Sequence, residues 1–235
     1  VRSLVHYLPI ATSILAFVMA PQLFRRYRER GGLHLLWWGV GIVLYGVGTV
    51  TESLTTLLGW QEPVFRAWYI SGALLGGAPL AQGTVYLLLP RRTADRLTIV
   101  LLTVIAVAAV CVLLSPIAYD RVETFRLSGR VLEWAWVRRF SPFINSYAFL
   151  FLVGGAAWSA WHFRGQPALR HRVVGNVFIA LGGLLPGIGG SFTRFGHVEV
   201  LYVTELIGLA LIWVGYRYNT GGAKDRMPEA QLSTP

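Results

Sequence analysis

The sequence predicts an all-α, polytopic membrane protein: a bundle of seven transmembrane helices with the N-terminus outside and the C-terminus cytoplasmic. Three observations carry this expectation. Of 235 residues, 54% are hydrophobic and 14% charged, with a mean hydropathy of +0.54. A soluble domain averages about 25% charged residues, so this chain has too few to coat a surface in water. Apolar stretches of bilayer-spanning length, about 20 residues, recur at roughly Leu4–Phe24, His34–Leu58, Ala67–Leu89, Leu97–Ile117, Pro142–Phe163, Val173–Ile188 and Val198–Tyr216. Finally, most of the 21 Lys and Arg residues fall in the first, third and fifth connections and the C-terminal tail, while the opposite side keeps most of its share in one long loop. Short basic loops face the cytoplasm. That assignment fixes both termini and requires an odd number of crossings, in the plasma membrane.

The first stretch reads as a retained span: Ile10–Met19 is apolar, basic residues follow it, and no small-residue cleavage site is present. The second carries Glu52 among Thr49, Thr51, Ser53, Thr55 and Thr56. In the third, Gly72, Gly76 and Gly77, and in the fifth, Gly154 and Gly155, predict faces for close helix packing. The fourth is the most uniformly apolar. The loop 118–141 interleaves Val122, Phe125, Leu127, Val131, Leu132, Trp134 and Trp136 with Arg126, Arg130, Glu133 and Arg138. That pattern predicts an interfacial helix, apolar side down, over the outer mouth. The sixth stretch ends in Gly182, Gly183, Pro186, Gly187, Gly189 and Gly190, which predicts a kink or an unwound turn. Residues 1–218 form the membrane domain, and 219–235, polar and rich in Gly and Pro, read as a disordered cytoplasmic tail. Tyr27 and the tryptophans 37, 38, 60, 68, 134, 136, 158 and 161 fall near the expected interfaces and read as an aromatic belt.

Spans one to three and five to seven share one up-down order, and Gly39 and Gly46 match Gly175 and Gly182 at a constant offset. A 3+1+3 parallel pseudo-repeat follows, with the fourth span as linker. Pro21-Gln22, at the inner end of the first span, resembles the Pro-Gln signature of PQ-loop and SWEET-type transporters, whose layout is also three-one-three. The corresponding place in the fifth span reads Trp158-Ser159-Ala160-Trp161. The resemblance implies transport.

Charge at membrane depth is expensive and marks functional paths. Two acids lie deep. Glu52 sits ~9 Å below the outer end of the second span and Glu205 ~10 Å into the seventh, at 1.5 Å per residue, so the two are expected at similar depth. Polar residues crowd the same outer half: His6, Tyr69, Asn145, Tyr147, His197 and Tyr202. The inner half is dry apart from Gln82, Thr84, Tyr86, Ser159 and Asn176. This asymmetry predicts either an outward-facing polar cavity or a buried network of mutually satisfied groups.

The carboxylates have three readings: ion pairs with Arg66 and Arg194, a facing pair that shares a proton, or a site for a cationic ligand or metal with His6 or His197. No fixed histidine spacing supports a metal site, and no cofactor is expected. His34, His162 and His171 lie beside arginines and read as interfacial anchors. Single Cys111 forms no internal disulfide. Seven helices with an outside N-terminus resemble microbial rhodopsins, but retinal needs a lysine in the last helix, and the one lysine is Lys224 in the tail.

Three functions fit. The first is a carrier or receptor for a small molecule or lipid. The second is an intramembrane enzyme on a lipid or isoprenoid, with the carboxylates as acid and base; heptahelical terpene cyclases are similar in size and in having acids within membrane helices. The third is a non-catalytic subunit beside a partner membrane protein. The expected partners are the bilayer and a small-molecule or lipid ligand, with no nucleic acid.

Overall fold

The structure, a computed structural model, describes residues 4–221, apart from the side chain of Arg194. The described chain is helical and, among these residues, contains no strand. Helix α1 spans Leu8–Arg30 and α2 Leu33–Leu58. A broken segment follows, with α3 at Glu62–Trp68, a π-turn at Tyr69–Leu74 and α4 at Ala78–Leu88. Helix α5 spans Arg91–Leu114. The next segment runs from α6 (Phe140–Ala148) through a second π-turn (Phe149–Gly154) into α7 (Gly155–Phe163). Helix α8 spans Arg170–Phe192 and α9 Val198–Gly221.

Six helical segments are long and apolar enough to cross a membrane, which gives the chain the build of a multi-pass membrane protein. The expected third span, Ala67–Leu89, is not one continuous helix: it breaks at Leu75–Gly77. The cause is local. Gly76 closes a tight turn onto the Gly72 carbonyl at 3.1 Å, and a Cβ there would come within 2.6 Å of that oxygen. Pro79 begins the next helix, where its missing N–H is not needed.

Contacts at the ends show that consecutive segments alternate in direction. At one end His6 lies 3.7 Å from Glu199, Trp60 N–H donates to the Thr124 carbonyl at 2.6 Å, and Arg126 donates to the Thr193 carbonyl at 2.7 Å. At the other, arginine-rich end Arg26 stacks on Tyr216, Tyr86 donates to Asp95 at 2.7 Å and Asn219 donates to Asn176 at 3.3 Å. Reversal between α1 and α2 uses Gly31, at φ +68°, a conformation that L side chains rarely adopt.

Two expectations about breaks and loops are corrected. Helix α8 runs through Pro186 without unwinding. Its glycines 175, 182 and 189 recur every seven residues on the face that meets α9, where Gly208 and Gly215 bring the backbones together. A Cβ on Gly182 would sit 2.5 Å from the Gly208 carbonyl. Close backbone packing of this kind holds membrane helices together and supports the unbroken run of α8 past the proline. The matched glycines of the pseudo-repeat also serve different neighbours: Gly39 and Gly46 face α1, whereas Gly175 and Gly182 face α9.

The loop 118–141 contains no interfacial α-helix. It folds as short 3₁₀ turns at Tyr119–Arg121, Gly129–Val131 and Ala135–Arg139. Leu127, Val131, Leu132 and Val137 are buried in a core with Phe65, Tyr69, Leu74 and Ile144. The loop is a folded plug inserted between the helix ends. The expected tail 219–235 lies outside the described residues from 222 onward, and Asn219 to Gly221 continue α9.

Candidate functional site

The site lies where α2, α9 and the broken third segment meet. Helix α2 presents a run of small and polar residues: Gly48, Thr49, Thr51, Glu52, Ser53, Thr55 and Thr56 are all buried. The hydroxyls satisfy themselves locally, as they must without water. Thr51, Ser53 and Thr55 donate to carbonyls three or four residues back, Gly48, Thr49 and Thr51. Thr49 also meets Ser13 of α1 at 2.9 Å. Glu52 cannot close such a bond and reaches sideways. It is 3% exposed, and its Oε1 accepts from the indole N–H of Trp68 at 3.0 Å.

Across from it stands Glu205 of α9. The two carboxyl groups meet at hydrogen-bonding distance. A carboxylate only accepts, so a bond between two of them forms only when one holds a proton. Oε2 of Glu52 and Oε2 of Glu205 are buried and meet no donor from any other described residue. Tyr45 donates to the Glu205 backbone carbonyl at 3.1 Å, and Tyr202 hydrogen-bonds Thr56. Among the described residues no arginine, lysine or histidine pairs with either carboxyl. Arg66, expected as a partner, instead binds Glu62 at 2.7 Å and caps the carbonyls of Val112, Leu113 and Ser115 at the end of α5. The expected pairing with Arg194 concerns a side chain outside the described set.

The pair lines a cavity of about 610 Å³. Apart from the acid pair, the walls are mainly glycine and aliphatic: Gly48, Gly72, Gly76, Gly77, Gly183, Leu80, Leu152, Leu201 and Ile212. Thr49, Asn145, Ser191 and Thr193 also line it, so the cavity is mixed rather than polar throughout. Leu127 and Ser141 of the long loop also line it, and the Arg126–Thr193 bond ties that loop to the end of α8 beside it. On one flank the lining residues Pro142, Asn145 and Phe149, and opposite them Gly187, Ile188 and Ser191, are exposed on the protein's side. This gap opens because α6 leans on α4 and the first π-turn, while α8 packs on the second π-turn and α7. Both π-turns contribute lining residues, and such turns recur at functional sites.

Comparison with known protein families, curated proteins and solved structures finds no match. The site's chemistry is carried by its own geometry.

Of the residues the sequence singled out, Glu52, Glu205, Thr49, Asn145 and Tyr202 line the cavity. The others stand elsewhere. Tyr69 is buried in the core beneath the long loop, with its hydroxyl 3.4 Å from Ser141. Tyr147 turns toward the arginine-rich half and donates to Gln82. His197 is exposed beyond the mouth. His6 packs edge-on to Tyr202 and lies near Glu199. Pro21 and Gln22 are exposed on the outer face of α1, and Gln22 donates to the Val18 carbonyl of its own helix. Sequence reasoning missed Trp68, assigned to the aromatic belt, and Tyr45. Their signal was position: Trp68 lies one helical turn from Gly72, which packs on Gly48, four residues before Glu52. No group of three or more metal-ligating side chains occurs among the described residues.

Proposed function

We propose that this protein spans the plasma membrane seven times, N-terminus outside, and binds an amphiphilic small molecule or lipid in the cavity between α2, α6, α8 and α9. The broken third segment makes the seventh crossing, supported by the alternating arginine placement. The observation that carries the reading is the cavity itself. It combines apolar walls, a polar region formed by Glu52 and Glu205, and a side opening between α6 and α8 at membrane depth. A ligand with a polar head and a greasy body fits such a site, and it arrives from the outer leaflet without crossing water.

The site belongs to a carrier or receptor. Leu80, Leu152 and Ile212 form a neck, shared by the cavity and a small apolar void of about 40 Å³ beneath it. An inward path for a carrier would run through this neck. The facing carboxyls favour a second reading, an intramembrane enzyme that moves a proton onto and off a lipid or isoprenoid.

The test uses protein in lipid nanodiscs with a diazirine-bearing fatty-chain probe. Crosslinks at Leu152, Leu201 or Ile212 that vanish when Gly187→Trp fills the side opening support the reading. Nothing stands within 4 Å of a Cβ at Gly187, so the substitution fills space rather than breaking packing. Labelling confined to the exposed faces of α1 and α5 defeats it. A mass change in extracted lipids on expression, lost in Glu52→Gln, favours the enzyme.

A further inference from the structure

The chemistry of the cavity specifies what its ligand must bring. Its polar end is a carboxyl pair that the rest of the described protein does not complete: Oε2 of Glu52 and Oε2 of Glu205 are buried and meet no donor from another residue. Nearby hydroxyls and N–H groups are already committed, with Trp68 on Glu52 Oε1, Tyr45 on the Glu205 carbonyl and Tyr202 on Thr56. Among the described residues no lysine, arginine or histidine lines the cavity. A carboxyl pair with one shared proton keeps one negative charge in a medium of low dielectric, an arrangement that needs a counter-charge and hydrogen-bond donors. From these facts we infer that the ligand is a long-chain primary amine, bound as its ammonium, with the N–H groups donating to the Glu52–Glu205 carboxyl pair and the chain lying along the apolar walls toward the gap between α6 and α8.

An inorganic cation fits less well. Two carboxylates without a third ligating side chain make a poor cage, and a space of about 610 Å³ walled by leucine and glycine far exceeds an ion. An anionic head is excluded by like charge. A neutral alcohol satisfies one acceptor but leaves the charge uncompensated. A quaternary ammonium compensates the charge but carries no N–H.

The inference rests on the cavity reading above, and the experiment separates the two. Wild-type protein in nanodiscs carries the photo-reactive fatty-chain probe, and dodecylamine, dodecyltrimethylammonium, dodecanol and dodecanoate compete for it, read by crosslink yield at Leu152 and by Trp68 fluorescence. Dodecylamine is expected to compete about tenfold better than the other three, the worth of one charge-assisted hydrogen bond. In Glu52→Gln and in Glu205→Gln that preference collapses to about twofold or less, while dodecanol competes as in wild type, which shows the cavity intact. Equal competition by the amine and the trimethyl compound, or by the amine and the alcohol, overturns the amine assignment and leaves the cavity reading standing. If none of the four competes, the cavity reading itself fails.

Discussion

The indole N–H of Trp68 donates to Oε1 of Glu52 across 3.0 Å, so the broken third segment steadies the carboxyl that lies deepest in α2. To bring Trp68 onto Glu52, the π-turn presses its backbone against α2, and a Cβ on Gly48 would stand 3.1 Å from Gly72 Cα.

Trp68→Phe removes that donor and leaves a buried carboxyl oxygen unsatisfied. The expected loss is about 1–3 kcal/mol, measured by SDS-titrated unfolding in mixed micelles. In a Glu52→Leu background the same substitution is expected to lose much less, because the acceptor is already gone. Strictly additive losses in the two backgrounds would mean the bond contributes nothing.

Glycines on one helix separate into two kinds. Gly182 sits where α8 touches α9, and a Cβ there meets the Gly208 carbonyl at 2.5 Å. Gly187, one turn and a half further on, faces the cavity, with nothing within 4 Å of a Cβ. Gly182→Ala is expected to destabilise by about 1–3 kcal/mol through overpacking. Gly187→Ala is expected to be neutral or to stabilise by up to about 1 kcal/mol, since alanine holds a helix better than glycine. Equal effects in the same unfolding assay would contradict the α8–α9 contact.

Apolar length made the spans legible, and counting residues from their ends placed Glu52 and Glu205 at one depth. Which way a side chain points was not legible. In a membrane both the lipid face and the protein core are apolar, so hydrophobic periodicity does not mark the inner face as it does in water. Tyr69, Tyr147 and His197 are singled out by depth alone, and none of them lines the cavity. Trp68 was read as interfacial for the same reason. The break was expected in α8 and occurs instead at Leu75–Gly77, because both stretches carry glycine and proline and only the neighbour decides: α9 meets α8 glycine to glycine and supports it. The long loop misled through its alternation, since Leu127, Val131, Leu132 and Val137 reach the core from irregular turns rather than from one helical stripe.

At the loop end, the Glu62 carboxyl is held below the ordinary carboxylate range, first by the Tyr119 hydroxyl at 2.5 Å and then by Arg66. A carboxyl depressed in the folded state contributes stability that is complete above its unfolded pKa, about 4.3, and is lost as pH falls through the lower folded value. The loop 118–141 is therefore expected to stay closed to pepsin at about pH 5 and to become susceptible as the medium is acidified past the carboxyl's range. Tyr119→Phe removes the larger cause and shifts that onset to higher pH. An onset unchanged by the substitution would show that Tyr119 does not anchor the loop.

In the arginine-rich half, five polar residues form one connected chain. Tyr147 of α6 donates to Gln82 Oε1, Gln82 donates to Thr98 at 2.7 Å and to the Ala94 carbonyl at 3.2 Å, Thr98 donates to Tyr86 at 3.0 Å, and Tyr86 donates to Asp95 at 2.7 Å. The chain ties α4 to α5 and α6 on the side where the third segment has lost helical continuity. Gln82 is fully buried, so Gln82→Leu strands the Tyr147 hydroxyl and is expected to destabilise by about 1–3 kcal/mol. Adding Tyr147→Phe to Gln82→Leu removes the stranded group, and the double variant is expected to recover part of that loss, because deleting both partners of a buried bond is far cheaper than deleting one. A double variant less stable than Gln82→Leu alone would mean that the tyrosine hydroxyl has another acceptor and that the chain does not run through Gln82.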